Sequence, residues 1–187
     1  MRVLLGVTGG IAAYKAADLV SASVKAGHEV RVVMTKNASH FVGAVTFEAL
    51  TGHPVMTNTF ATGHGADGAS SIEHISWAKW AEVACVAPLT ASTLGRLACG
   101  IADDALTTVW MALPQHVPNL LCPAMNTQMW SHPAVVRNLR WLDEMGRYQI
   151  LAPTEKRLAC GDVGVGGLAD VADILAAIEA SRPIDSA

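Results

Sequence analysis

Short, unbroken apolar runs recur along this chain, and stretches with helical spacing lie between them. Val3 to Val7 is the first run. It ends at Thr8-Gly9-Gly10, and helical periodicity follows from about Ile11 to Ala26. Gly27 breaks that helix, and Glu29 to Met34 reads as a second strand. Val83 to Ala87, Asn119 to Cys122 and Gln149 to Leu151 read as central strands, with helical patterns over Ala102 to Leu113 and Pro133 to Met145. Continuous apolar strands are buried on both faces, and their alternation with helices predicts a parallel sheet covered on both sides. Right-handed crossovers make this a doubly wound α/β three-layer sandwich of the Rossmann-like kind.

A chain of 187 residues suits one domain, residues 1–187, and neither a linker nor an internal repeat interrupts it. Only 16% of the residues are charged, and the formal net charge is −3. That balance carries no polyanion-binding signature and argues against nucleic acid as a partner. The apolar fraction of 51% is high for this size. It fits surface buried between subunits, or a well-filled monomer core. No segment is long enough to span a bilayer, and the N-terminal apolar run stops at Gly6 and Gly9-Gly10, too soon for an export signal. Cys85, Cys99, Cys122 and Cys160 form no CxxC pair. Reduced thiols in a cytoplasmic protein are the simplest reading, with Cys85, Cys99 and Cys122 as inert core residues. His28, His40, His53, His64, His116 and His132 show no HExxH-like spacing, so no metal site is expected. Ala61 to Ser71 and Gly161 to Gly167 are rich in small residues and read as loops.

In an open parallel sheet, ligands bind beyond the carboxyl ends of the strands. The turn Gly6-Val7-Thr8-Gly9-Gly10-Ile11 lets a new helix offer its free N–H groups to a phosphate, although a tight turn with no ligand would look the same. The second strand ends in Met34-Thr35-Lys36-Asn37. The carboxylate that an NAD ribose needs is missing there, and hydroxyl, amide and cation suit a phosphate or a flavin polyol better. Thr90-Ala91-Ser92-Thr93 places hydroxyls at the next helix start, as an N-cap or as a second phosphate cradle. Pro123-Ala124-Met125-Asn126-Thr127-Gln128-Met129-Trp130 puts an amide and thioethers at the mouth of the same region, or packs them in the core.

His74 opens a helical segment, Glu73-His74-Ile75-Ser76-Trp77, and histidine is a side chain that can serve as a general acid or base. A lone histidine is more often structural. Cys160, in Leu158-Ala159-Cys160-Gly161-Asp162, sits beside the glycine-rich stretch, from which a thiol can deliver a proton to a closed site.

Together these segments resemble the homo-oligomeric flavin-containing cysteine decarboxylases over nearly the whole chain. The resemblance runs from Gly9-Gly10-Ile11-Ala12-Ala13-Tyr14-Lys15 to Ala159-Cys160-Gly161-Asp162, and its most specific motifs are Pro-Ala-Met-Asn-x-x-Met-Trp and Gly100-Ile101-Ala102-Asp103-Asp104. It implies a flavodoxin-like fold and a homotrimer or an assembly of trimers, up to a dodecamer, with FMN at the subunit interface. It implies that Gly9, Gly10, Ile11, Thr35, Lys36, Asn37, Thr46, Phe47, Thr90, Ala91, Ser92, Thr93 and Ala124 contact the flavin. His74, Asn126 and Cys160 match the family's catalytic positions. Asn126 would hold the substrate carboxylate, beside Met125, Met129, Ala159, Gly161 and Asp162. The implied reaction is decarboxylation of a terminal cysteine unit, above all conversion of 4'-phosphopantothenoylcysteine to 4'-phosphopantetheine in coenzyme A biosynthesis. Oxidation at the cysteine sulfur supplies the electron sink that the departing carboxylate otherwise lacks, and Cys160 protonates the intermediate during the final reduction. Other readings are oxidative decarboxylation of the C-terminal cysteine of a ribosomally made peptide, and a non-catalytic flavoprotein that regulates a partner. The chain departs from the family pattern at Gly10, at Ser92, and over Gly167-Leu168-Ala169-Asp170.

Overall fold

The first strand, β1 (Arg2–Val7), is central because its residues serve two cores at once. Val3, Leu5 and Val7 enter one core and Leu4 the other. Gly6 makes room on the second face, where a Cβ would lie 2.8 Å from the Trp110 ring. The computed structural model describes residues 1–59, 73–157 and 163–181. In chain order β1 is followed by a 3-10 turn (Ile11–Ala13), α1 (Tyr14–Lys25), β2 (Glu29–Met34), α2 (Ala44–Thr51) and α3 (Glu73–Trp80). Then come β3 (Val83–Leu89), α4 (Ala91–Cys99), α5 (Ala105–Met111), β4 (Asn119–Pro123), α6 (Thr127–Trp130), α7 (Pro133–Glu144) and β5 (Gln149–Ile150). An antiparallel hairpin of β6 (Thr154–Arg157) and β7 (Val163–Gly167) precedes α8 (Val171–Ala180).

The main sheet is parallel throughout, in the order β2-β1-β3-β4-β5. Leu19 and Val20 of α1, Phe47 of α2, and Ile174 and Ile178 of α8 fill the core on one face. Trp77 of α3, Leu94 of α4, Leu106 and Trp110 of α5 and Leu142 of α7 fill the other. This is the doubly wound α/β sandwich that the alternation predicts. β3 runs to Leu89, farther than its apolar run suggested, and α2 and α8 add helices that the periodicity did not single out. The expected loop at 61–71 lies outside the described residues. Cys85 and Cys122 are buried with their sulfurs 3.8 Å apart, whereas Cys99 is exposed at the end of α4 rather than held in the core.

Local polar contacts fix the helices that matter for the site. The Asp104 carboxylate accepts from Thr107 N–H at 2.7 Å, and the Thr107 hydroxyl accepts from Asp104 N–H at 3.3 Å. This reciprocal capping box starts α5 sharply. The buried Trp110 indole donates to Asn119 Oδ1 at 3.0 Å, tying α5 to β4. The Arg31 guanidinium of β2 lies 4.3 Å from the Trp80 ring centre and 5.6 Å from that of Trp77. These cation–π contacts hold α3, and with it His74, against the sheet.

Within the glycine-rich stretch, residues 163–167 depart from the loop that its composition predicts, and residues 161 and 162 lie outside the described residues. From Val163 to Gly167 it is a strand, and its glycines reflect close neighbours rather than freedom. A Cβ on Gly164 would lie 2.7 Å from Thr127 Oγ1, and one on Gly167 would lie 2.2 Å from the Lys156 side chain. Gly166 has φ +149° and would place a Cβ 2.1 Å from the Met125 carbonyl oxygen. Its own carbonyl accepts from Met125 N–H at 2.9 Å, so β7 is docked on the turn after β4. Gly166→Ala should therefore lower stability by about 1–3 kcal/mol, because it meets backbone in a conformation that side chains avoid. Urea unfolding should show a lower midpoint at an unchanged slope. An unchanged midpoint would mean that β7 has room to move.

Candidate functional site

The chain leaves β1 through α1 on one face of the sheet and leaves β3 through α4 and α5 on the other. The two connections diverge, and a crevice opens where strand order reverses, the usual ligand site of such sheets. A cavity of about 690 Å³ occupies this position. That volume lies within the range of about 300–1,000 Å³ typical of cofactor sites.

Four sequence segments meet in its wall. Gly9, Gly10 and Ile11 come from the turn after β1, and Thr35, Lys36 and Asn37 from the end of β2. Thr90, Ala91, Ser92 and Thr93 come from the start of α4, and Ala124, Met125, Asn126 and Met129 from the turn after β4. These are residues that the sequence singles out, and the fold brings them together from positions far apart in the chain.

The wall suits a phosphorylated flavin in three ways. First, neither the 3-10 turn at Gly10 nor α4 at Thr90 has a side-chain cap, so two helical N-termini present backbone N–H groups at one cavity. Such groups and the dipole behind them favour an anion. Second, the Thr35 hydroxyl is buried without a hydrogen-bond partner at the cavity edge, ready for a polar ligand atom. Third, Gly9 packs so tightly that a Cβ would lie 2.4 Å from Asn37 Cβ, which keeps the backbone low beneath the ligand. Ile11, Pro88, Met125 and Met129 add apolar surface for a ring system.

The turn after β4 is held from several directions. Ala124 N–H donates to the Leu89 carbonyl at 3.0 Å, and Met125 is bound by Gly166 as described. Asn126 caps α6 by accepting from Gln128 N–H through Oδ1 at 2.8 Å. That bond fixes the direction of the amide oxygen.

Arg96, Asp103 and Asp104 also line the cavity, although the sequence reading gave them no role. Arg96 Nε donates to Asp103 Oδ1 at 2.7 Å, and its Nη1 donates to Ser92 Oγ. The available signal was the four-residue spacing of Ser92 and Arg96 on one helix face, together with the Gly-Ile-Ala-Asp-Asp motif.

Three other singled-out residues, His74, Thr46 and Phe47, are not in the cavity wall. His74 is half-buried on the first turn of α3 and does not line it. Thr46 is exposed on α2, and Phe47 beside it is fully buried in the core against α1 and α8. Ala159, Cys160, Gly161 and Asp162 lie outside the described residues. Lys15, just beyond the first turn, is held below the usual lysine value by partial burial and then by Lys156, while Asp170 and Asp18 oppose the shift. The hydrogen bond with Cys122, and then burial, push the Cys85 thiol up, so this pair is unreactive. Among the described residues no helix is long and apolar enough to cross a membrane.

Known proteins agree with this geometry. The Flavoprotein family model matches residues 1–182. A probable phosphopantothenoylcysteine decarboxylase of Streptococcus mutans is 43% identical over 95% of this chain and 97% of its own. The coenzyme A biosynthesis bifunctional protein CoaBC of Bacillus subtilis is 47% identical over 93% of this chain. The match spans only 41% of that longer protein's length. A cysteine-to-serine mutant of PPC decarboxylase, solved with pantothenoylaminoethenethiol, superposes with a TM-score of 0.84 at 34% identity, covering 95% of this chain and 96% of that one. The FMN-dependent cysteine decarboxylase SpaF gives 0.79 at 33% identity, covering 95% and 94%. With a family match over residues 1–182 and a cavity of cofactor size at the switch point of its sheet, the chain belongs to the Flavoprotein family.

Proposed function

We propose that this chain is an FMN-dependent decarboxylase that converts 4'-phosphopantothenoylcysteine to 4'-phosphopantetheine. The observation that carries the proposal is the meeting, in one cavity, of two uncapped helical N-termini and the Ala124-Met125-Asn126 turn. The first element suits a flavin phosphate, and the second suits a substrate carboxylate at the ring's edge. The relatives named above support the substrate class, and SpaF supports FMN.

The flavin phosphate would be held by the N–H groups that follow Gly10 and Thr90, with Thr35, Lys36 and Asn37 beside the polyol. Ile11, Ala124 and Met125 would flank the ring. Bound there, the flavin supplies a reversible two-electron acceptor for the substrate's cysteine unit. The protein's own residues then bind, orient and move protons. Asn126 Nδ2 donates to the carboxylate and fixes the bond that breaks. His74 acts as general base at the substrate thiol. The carboxylate leaves as CO2, and Cys160 gives its Sγ proton to the carbon that carried it. The net change replaces a carboxylate with a proton and needs no outside oxidant.

His74 does not line the cavity within one chain, so the reading includes an assembly in which a second copy brings its His74 to the site. A trimer, with the flavin at the interface, meets that need. Cytoplasmic residence suits the unpaired thiols Cys85 and Cys122.

His74→Asn should leave the protein yellow while lowering CO2 release by about 10²–10⁴-fold, the usual scale of a lost general base. Assemblies mixed from His74→Asn and Asn126→Asp chains should regain part of the activity, because some sites then receive both native residues. No recovery would contradict a shared site. Cys160→Ser should still release CO2 but stall at the unsaturated enethiol, as product chromatography would reveal. Normal turnover to the saturated thiol would remove Cys160 from the mechanism.

A further inference from the structure

We infer that Thr8 is a positioning residue that holds the two halves of the phosphate cradle at a fixed separation. Thr8 follows β1 and is completely buried, so it touches no ligand itself. Its hydroxyl donates to the Pro88 carbonyl at 2.7 Å and accepts from Thr90 N–H at 3.0 Å. Its own carbonyl accepts from Gly10 N–H at 3.0 Å. One side chain and its adjoining peptide thus bind the turn after β1 to the end of β3 and the start of α4. The two turns approach closely, since a Cβ on Gly10 would lie 3.4 Å from Thr90 Cγ2.

These bonds have a chemical consequence. Thr90 N–H is committed to Thr8, which leaves the N–H groups of the first turn of α4 for an anion. A single phosphate can be gripped from both N-termini only if their spacing matches it, and a shift of about 1 Å forfeits much of such an interaction. A hydroxyl is the smallest group that donates and accepts at once. Valine has nearly the same shape but would leave the Pro88 carbonyl and the Thr90 N–H without this partner.

The inference rests on the reading of the cavity as an FMN site, and the test separates the two. Riboflavin has the same ring and polyol as FMN but no phosphate. Fluorescence titration of the full chain, stripped of flavin, gives the affinity for each. The wild-type protein should prefer FMN strongly. Thr8→Val should lose about tenfold or more in FMN affinity. Its riboflavin affinity should stay within about twofold, so its selectivity for the phosphate falls. Thr8→Ser, which keeps the hydroxyl, should retain that selectivity. Should Thr8→Val fail to fold, Thr8→Cys keeps the volume with a weak donor and acceptor, and its selectivity should fall likewise. Equal loss of both ligands, or no loss of either, would overturn the role of Thr8. A wild-type protein that binds riboflavin as tightly as FMN would instead overturn the phosphate cradle.

Discussion

The reversal of strand order beside β1 governs the rest of the structure. β1 pairs with β2 on one side and β3 on the other, both parallel to it. Because α1 and α4 then leave on opposite faces, the helices diverge from neighbouring turns and border a common crevice. The helices are held there by two separate cores, one around Val3, Leu5 and Val7, the other around Leu4 and Trp110. The site is therefore a consequence of topology first and of side chains second. Several side chains that border it are small, buried or committed to backbone.

The opposite wall of the cavity is built differently. The turn Ala124-Met125-Asn126 has little regular structure of its own and relies on partners. Leu89 holds Ala124, Gly166 holds Met125, and Gln128 holds Asn126. The hairpin of β6 and β7 thus serves as a buttress for this turn, with glycines where Met125, Thr127 and Lys156 press against it. The two walls of the cavity therefore take their support from different parts of the fold.

Much of this was legible in the sequence, for physical reasons. β1, β3 and β4 are buried on both faces, so their apolar runs were unbroken and the turns after them marked the cavity wall. α2 was harder because Ala44 to Thr51 is short and only weakly periodic. The stretch 163–167 was misleading because composition cannot distinguish a glycine that moves from one that has no room. Arg96 and Asp103 received no role, although Asp103 lies in a motif that stood out, because their pairing depends on how α5 begins after Gly100, which the Asp104–Thr107 box decides. Thr46 and Phe47 show the reverse problem: a resemblance assigns them to the flavin, whereas within one chain Phe47 is core and Thr46 faces outward. His74 likewise is not among the residues that line the cavity within one chain.

The proposed chemistry of this cavity is a redox-neutral decarboxylation. Mass spectrometry of the product from 4'-phosphopantothenoylcysteine, after anaerobic incubation with the FMN-loaded protein, tests it most directly. The account predicts the loss of CO2 alone. Loss of CO2 together with two hydrogens, or no turnover by a fully flavin-loaded protein, would contradict it.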